Sequence, residues 1–308
     1  MLHFEWAKCR NDATRMWLAY VGHEGSQFVW QKGRLQLNEQ IRPMLRRLHG
    51  RLVGVGIDGR KALMAARGLP VIRAERREFK RQRSLSAEPK EFIFLRSFSV
   101  FGDRFESAGS ASGHYFHQDL LVAQEIFERM PERHVDIGSS IYGFVSHVAA
   151  FREIEVFDIR PLTQSVSAIK FVQQDVMDLD PAFHNYADSV SCLHALEHFG
   201  LGRYGDSIDY NGWRKGLDAI YRMMKPGGTL YLSVPTGEPQ RVEFNLHRVF
   251  SLPFLRDVLQ QDFDIERLAF VDDDGDLCPS IDPYSKEAER SLNAKYGCSV
   301  WVLTKKNT

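Results

Sequence analysis

The sequence predicts an α/β protein built on a doubly wound, mostly parallel sheet, and three observations carry that prediction. First, from His134 onward short apolar runs at residues 134–137, 154–157, 169–172, 187–193 and 229–234 alternate with helical or loop segments, the clearest helix covering 213–224. Such alternation makes parallel strands joined by crossovers. Second, residues 134–160, HVDIGSSIYGFVSHVAAFREIEVFDIR, read as a strand, a small-residue turn at Gly138, Ser139 and Ser140, a helix from about Phe144, and a second strand ending at Asp158. In open sheets a ligand sits beyond the carboxyl ends of the strands, its polar groups meet amides at a helix N-terminus, and an acid closing the second strand accepts ribose hydroxyls. Asp136 and Asp158 stand where such a ligand needs them. Third, KPGG at 225–228 stops a helix at Pro226, and its two glycines permit a sharp return into the next strand.

The elements follow in order. Residues 1–50 are helical in part, with Ile41, Met44, Leu45 and Leu48 on one stripe, and carry no recognisable chemistry. Gly54, Gly56 and Gly59 spell G-x-G-x-x-G, with Glu75 or Glu78 near the distance of a ribose acid. No second hydrophobic strand precedes those glutamates, so a plain turn before a short helix is the better reading. The arginine-rich run 73–83 is expected to be a solvated helix face and 84–90 a linker, while 92–98 is apolar enough for a strand outside the main sheet. From Gly102, GDRFESAGSASGHYFHQ suits a flexible cover over a pocket. A helix over 119–130 follows, with Leu120, Ala123, Phe127 and Met130 on one face, and Pro131 ends it. After Ser251, an N-cap, a helix to about Gln261 leads to a strand at 265–271. DDDGDLCPS reads as part of a long loop, and the last strand spans 299–304. The division is therefore an N-terminal helical or mixed extension, 1–100, and an α/β domain, 101–308.

Composition excludes some partners. The 308 residues balance 40 acidic against 40 basic side chains, which gives no electrostatic reason to bind nucleic acid. The four cysteines, Cys9, Cys192, Cys278 and Cys298, form no C-x-x-C pair and follow no secretory leader, which fits a reducing cytoplasm. No apolar run reaches the roughly 18 residues of a membrane span, so a soluble chain is expected, with peripheral membrane contact left open.

A strand ending in D-x-G, a second ending in acid, a third followed by QQD, a fourth ending in LHALEH and KPGG before a fifth together resemble a class I S-adenosylmethionine-dependent methyltransferase. The resemblance covers residues 119–304 and implies a Rossmann-like, seven-stranded sheet of order 3-2-1-4-5-7-6 with an antiparallel strand 7. More narrowly, SAGSASGHYFHQDLL, HVDIGSS, VFDIRPL, LHALEHFGLGRYGDSID, LYLSVPTG and RVEFNLHRVF resemble an uncharacterised methyltransferase-like family found mainly in bacteria, often among surface-polysaccharide biosynthesis genes. The resemblance implies S-adenosylmethionine as cofactor. Asp136, Gly138, Ser139 and Ser140 would border its methionine part, Asp158 with Ile159 its ribose, Asp175 with Val176 its adenine, and Leu193 with His194 would lie beneath it. The first motif departs from the common acid-x-G-x-G-x-G: Ser140 and Tyr142 replace the second and third glycines, and Gly143 comes one place late.

Transfer to a hydroxyl needs the acceptor held in line with the methyl and a base for its proton. His198 is the first choice because imidazole titrates near neutrality, with Glu197 orienting it or a substrate hydroxyl; Asp206 can do the same job. Arg203, Tyr204, Asn245, His247 and Arg248 would shape an acceptor pocket, the arginines suiting a phosphate or carboxylate on an activated sugar. The expected acceptor is thus a glycan or sugar nucleotide. The same residues also read as a polar network that fixes two loops, with GLGRYGD simply a turn. His194, Glu197 and His198 spell H-x-x-E-H, the inverted zinc-protease signature, but that motif needs a helix presenting both histidines. Here the first histidine ends an apolar strand and FGLG breaks any helix, so no metal is expected. Two further readings stay open: a methyltransferase-fold scaffold without transfer activity, and a glycan-modifying enzyme doing non-methyl chemistry on the same fold.

Overall fold

The computed structural model describes residues 59–88, 90, 92, 94–101 and 109–307. The stripe at 41–48, Cys9 and the first two glycines of G-x-G-x-x-G lie outside them. Contacts divide the chain into two compact units, Met1–Glu106 and Ser107–Thr308.

The described part of the first unit is helix α1, Gly59–Leu85, much longer than the short helix expected after Gly59. Its arginine-rich half is exposed over residues 73–82, and Arg81 pairs with Glu78 at 2.7 Å, so the run is a solvated face. Residues 94–100 form no strand, although the pattern at 92–98 predicts one; Phe92, Leu95, Phe98 and Val100 are exposed, with no strand paired to them among the described residues.

The second unit is an α/β sandwich around a mostly parallel sheet. Strands β1, His134–Ile137, β2, Ile154–Asp158, β3, Ile169–Gln173, β4, Ala187–Leu193, and β5, Met224–Thr236, pair in parallel. Strands β6, Arg241–Glu243, and β7, His247–Val249, form a separate antiparallel hairpin. Then come β8, Phe263–Val271, β9, Leu277–Cys278, and β10, Gly297–Lys305, which runs antiparallel to both β5 and β8. The sheet order is 3-2-1-4-5-10-8-9. It therefore departs from the seven-stranded expectation: eight strands are present, because Leu277–Cys278 pairs with Phe270–Val271 inside the stretch read as a loop. A two-residue strand has too little sequence pattern to be recognised before its partner is known.

Both faces of the sheet are covered, as the continuous apolar strands require. One core joins Ile137, Phe157, Val190, Leu232 and Trp301 to helices α4, Gly212–Met223, and α5, Leu252–Asp262. The other joins Val156, Tyr231, Val300 and Val302 to α2, His114–Arg129, and α3, Ser146–Ala149. Helix α2 begins within the segment expected to be a flexible cover. Its buried face is Leu121, Val122, Ala123 and Ile126, whereas Leu120, Phe127 and Met130 of the predicted stripe are exposed. Two apolar stripes share this helix, and only packing against the sheet chooses between them. KPGG lies inside β5 as a bulge, with Met224 opposite Ala187 and Thr229 opposite Ser189. Ser251 takes the N-cap position of α5, but its hydroxyl bonds Gln240 rather than capping the helix.

Candidate active site

The carboxyl ends of β1 to β4 open on one cleft. One cavity is lined by Gly138, Asp158, Ile159, Asp175, Val176, His194, His198, Tyr204 and Asp206, among others. A second, adjoining cavity shares Gly138, Asp158, Arg160, His194 and Tyr204 and adds Tyr115, Ser139, Ser140, Tyr142 and Leu193.

The floor of the cleft is set by the turn after β1. Gly138 has φ +69°, its amide donates to the Phe157 carbonyl at 2.9 Å, and a Cβ there would stand 3.1 Å from that of Ala195. The left-handed φ favours glycine here, and a side chain would also press on Ala195. Residues 141–145 then form a π-helical turn leading into α3. Tyr142, at the place of a motif glycine, is 98% exposed and so does not crowd the turn.

Asp136 corrects its expected role. It is fully buried and lines neither cavity; its carboxylate accepts the Ser139 hydroxyl at 2.6 Å, the Ser139 amide at 3.1 Å and the Ser191 hydroxyl at 2.6 Å. It braces the turn from below. Because Ser191 donates to Asp136, its oxygen accepts from His134 Nε2–H at 3.1 Å, and His134 Nδ1 accepts the Ser189 hydroxyl at 2.8 Å. A neutral imidazole satisfies this chain, and burial lowers the His134 pKa to about 3. Burial also pushes Asp136 up to about 6 against the hydrogen bonds it accepts.

Asp158 lies on the cleft wall and is held by Arg160, which donates its amide at 2.8 Å, Nε at 3.0 Å and Nη2 at 2.6 Å. The same guanidinium lies 4.4 Å from the centre of the Tyr204 ring. Sequence reasoning missed Arg160, although a cation two residues beyond the strand-ending acid was a usable signal. Asp175 receives the Met177 amide at 2.9 Å through one oxygen, and Val176 is buried beside it. His194 closes β4 with φ +51° and gives its Nδ1–H to Glu197 at 2.9 Å.

His198 Nδ1 bonds the Leu246 carbonyl at 2.7 Å, which fixes the proton there and leaves Nε2 as a lone pair. Burial lowers its pKa, so the ring is neutral. Glu197 is buried behind it, 3.6 Å from Nε2, and does not line the cleft.

Asp206 is a different case from the base expected of it. One oxygen accepts the amides of Gly200 and Gly202 at 2.8 and 3.1 Å, and the other accepts that of Tyr204 at 3.2 Å. The carboxylate folds the loop, where Gly200 has φ +77° and a Cβ would meet the Asp209 carbonyl oxygen at 2.0 Å. Four of the five expected acceptor residues also hold loops instead of lining the cleft. Arg248 donates to the carbonyls of Glu197, Phe199 and Tyr210, Arg203 to that of Leu246 and Asn245 to that of Leu201, while His247 stacks on Tyr296 at 5.2 Å. Arg203, Asn245 and Arg248 tie the β6–β7 hairpin and its turn to residues 196–210, the polar-network reading. Of these five, only Tyr204 lines the two cavities. His194 and His198 share no helix, since Leu196–His198 is a single 3-10 turn, so the zinc-protease arrangement is absent.

Residues 151–265 match the family model described as a Caenorhabditis protein of unknown function, DUF268. No curated protein matches the chain. Similar solved structures include the N-methyltransferase NodS from Bradyrhizobium japonicum WM9 in complex with S-adenosyl-L-homocysteine, at 12% identity over 75% of this chain and 98% of that one, TM-score 0.43. The 1,6-didemethyltoxoflavin-N1-methyltransferase of Burkholderia thailandensis is 15% identical over 66% of this chain and 94% of that one, TM-score 0.40. The [4+2]-cyclase SpnF is 15% identical over 62% and 82%, TM-score 0.41.

Proposed function

We propose that the chain is an S-adenosylmethionine-dependent methyltransferase. The observation that carries this is one cavity bordered by Gly138, Asp158 and the Asp175–Val176 pair, from the ends of three adjacent parallel strands. That is the set a nucleoside with a short polar arm needs: a close backbone approach, an acid for the ribose diol, and an acid beside a buried apolar residue for the base. The turn at Gly138 suits such a ligand because this residue lines both cavities with backbone alone. When bound, the cofactor supplies an electrophilic methyl on sulfur.

The residues of this chain then bind and move a proton. Asp158 takes the ribose hydroxyls once Arg160 swings away, Asp175 and Val176 flank the adenine, and Gly138 with Ser139 and Ser140 borders the amino acid part. His198 Nε2 accepts the proton of the acceptor hydroxyl while Nδ1 stays bonded to Leu246. The acceptor is a sugar hydroxyl on a glycan or sugar nucleotide, which the family resemblance and the Tyr204 and Arg160 side chains at the cleft support.

A second reading, a scaffold on this fold without transfer activity, draws on Arg160, which already satisfies both oxygens of Asp158. Calorimetric titration with S-adenosylmethionine and S-adenosylhomocysteine, with NAD as control, separates the two. Micromolar binding of both sulfur ligands that Asp158→Ala abolishes supports the enzyme. With an acceptor in hand, His198→Ala should keep binding and lower turnover by about 10²-fold or more. No binding of either ligand returns the chain to the scaffold reading.

A further inference from the structure

We propose that His114, His194 and Cys298 form a binding site for a single zinc-class divalent cation, a proposal that does not depend on the methyltransferase reading. The three come from the first turn of α2, the end of β4 and the start of the antiparallel β10, and their donor atoms all lie within 4.8 Å of one another. His194 and Cys298 are buried and His114 is half-buried.

The independent observation is at His194. Its Nδ1–H is committed to the buried Glu197 carboxylate at 2.9 Å, and its buried Nε2 has no oxygen or nitrogen partner, only the Cys298 thiol beside it. A thiol is a weak hydrogen-bonding group, so a buried imidazole nitrogen set against it alone is poorly satisfied unless something else binds there. The carboxylate behind the ring is the arrangement that orients metal-ligating histidines and raises their basicity. The His114 ring lies nearly parallel to that of His194, with centroids 5.3 Å apart. The backbone of His194 takes a left-handed conformation, φ +51°, fixed by its amide bonding the Ser233 carbonyl and hydroxyl. Residues held in such conformations cluster at binding sites.

Two imidazoles and a thiolate select zinc or its close neighbours over magnesium or calcium, which take oxygen donors. With Zn–N of about 2.0 Å and Zn–S of about 2.3 Å, donors in a tetrahedral site stand roughly 3.3–3.8 Å apart. Closure from the present spread takes on the order of 1 Å, which rotation of the half-buried His114 ring supplies. Three protein donors leave the fourth position to water or a substrate atom, the pattern of catalytic zinc sites. His194 lines both cavities of the cleft, so the ion would stand at its wall.

The test is cobalt titration of the full chain after removal of metal with a chelator. The expected result is one equivalent of Co²⁺ bound with the intense visible bands of a tetrahedral site and a thiolate-to-cobalt charge-transfer band, both displaced by Zn²⁺. Cys298→Ser should remove the charge-transfer band and His114→Ala should weaken binding at least tenfold. Glu197→Gln should weaken it by about 10- to 100-fold, the range for partners that orient a ligand. Cys298 is fully buried; if its variant does not fold, as judged by circular dichroism, His114→Ala carries the test. Substoichiometric cobalt, an octahedral spectrum, or a spectrum unchanged in His114→Ala and Cys298→Ser overturns the proposal.

Discussion

Asp136→Asn should change how the stability of the chain responds to pH, because the carboxylate it removes titrates at different values in the folded and unfolded states. Burial raises Asp136 from 3.8 to about 6 in the folded chain. The native state therefore holds this proton more tightly, and the contribution to stability is full below about pH 4 and lost as pH rises through 6. At about 1.4 kcal/mol per pH unit between those values it amounts to about 3 kcal/mol. His134, one hydroxyl away, acts with the opposite sign. Burial lowers it from 6.5 to about 3, so the unfolded chain protonates first and stability is lost as pH falls below 6.5. Between about pH 6 and 4 the two nearly cancel in the wild type. The asparagine variant loses only the Asp136 contribution, which leaves the His134 slope uncovered. Urea unfolding of both proteins at pH 7, 6, 5 and 4, analysed by linear extrapolation, reads the effect directly. The stability difference between them should shift by about 3 kcal/mol in favour of the wild type from pH 7 to pH 4. A difference flat with pH would refute the reasoning, since it would mean that burial does not set the charge of Asp136.

Three further outcomes follow from the same geometry. Ser191→Ala removes the donor to Asp136 and the acceptor of His134 together, and should cost about 2–4 kcal/mol in unfolding free energy, seen as a lower melting temperature. Gly138→Ala forces a side chain into a left-handed conformation against Ala195; a loss of about 1–2 kcal/mol is expected, with weaker S-adenosylhomocysteine binding by calorimetry. Arg160→Ala frees the Asp158 carboxylate and should raise affinity for S-adenosylmethionine, whereas reduced affinity would show that Arg160 helps to hold the ligand.

Much of the architecture was legible in advance because it rests on local pattern. Continuous apolar strands, the alternation with helices and the acid closing β2 are properties of short segments, and doubly wound topology then puts Asp158 and Asp175 at one cleft. What was missed had weak or ambiguous local signals: the two residues of β9, and the buried face of α2, which carries two apolar stripes.

What the sequence by itself determined is the sheet's parallel half, the cleft at its carboxyl end and two of the acids beside it, Asp158 and Asp175. What only the tertiary structure decided is which polar atoms remain available for chemistry. Asp136, Asp206 and Arg248 have the right chemical type, yet their hydrogen-bonding capacity is taken up by Ser139 and Ser191, by the amides of residues 200–204, and by three loop carbonyls. His194 is the reverse case: its second ring nitrogen lies within 4.8 Å of donor atoms of His114 and Cys298, 80 or more positions away in the chain. Hydrogen-bond satisfaction belongs to atoms brought together by folding, and spacing along the chain carries no record of it.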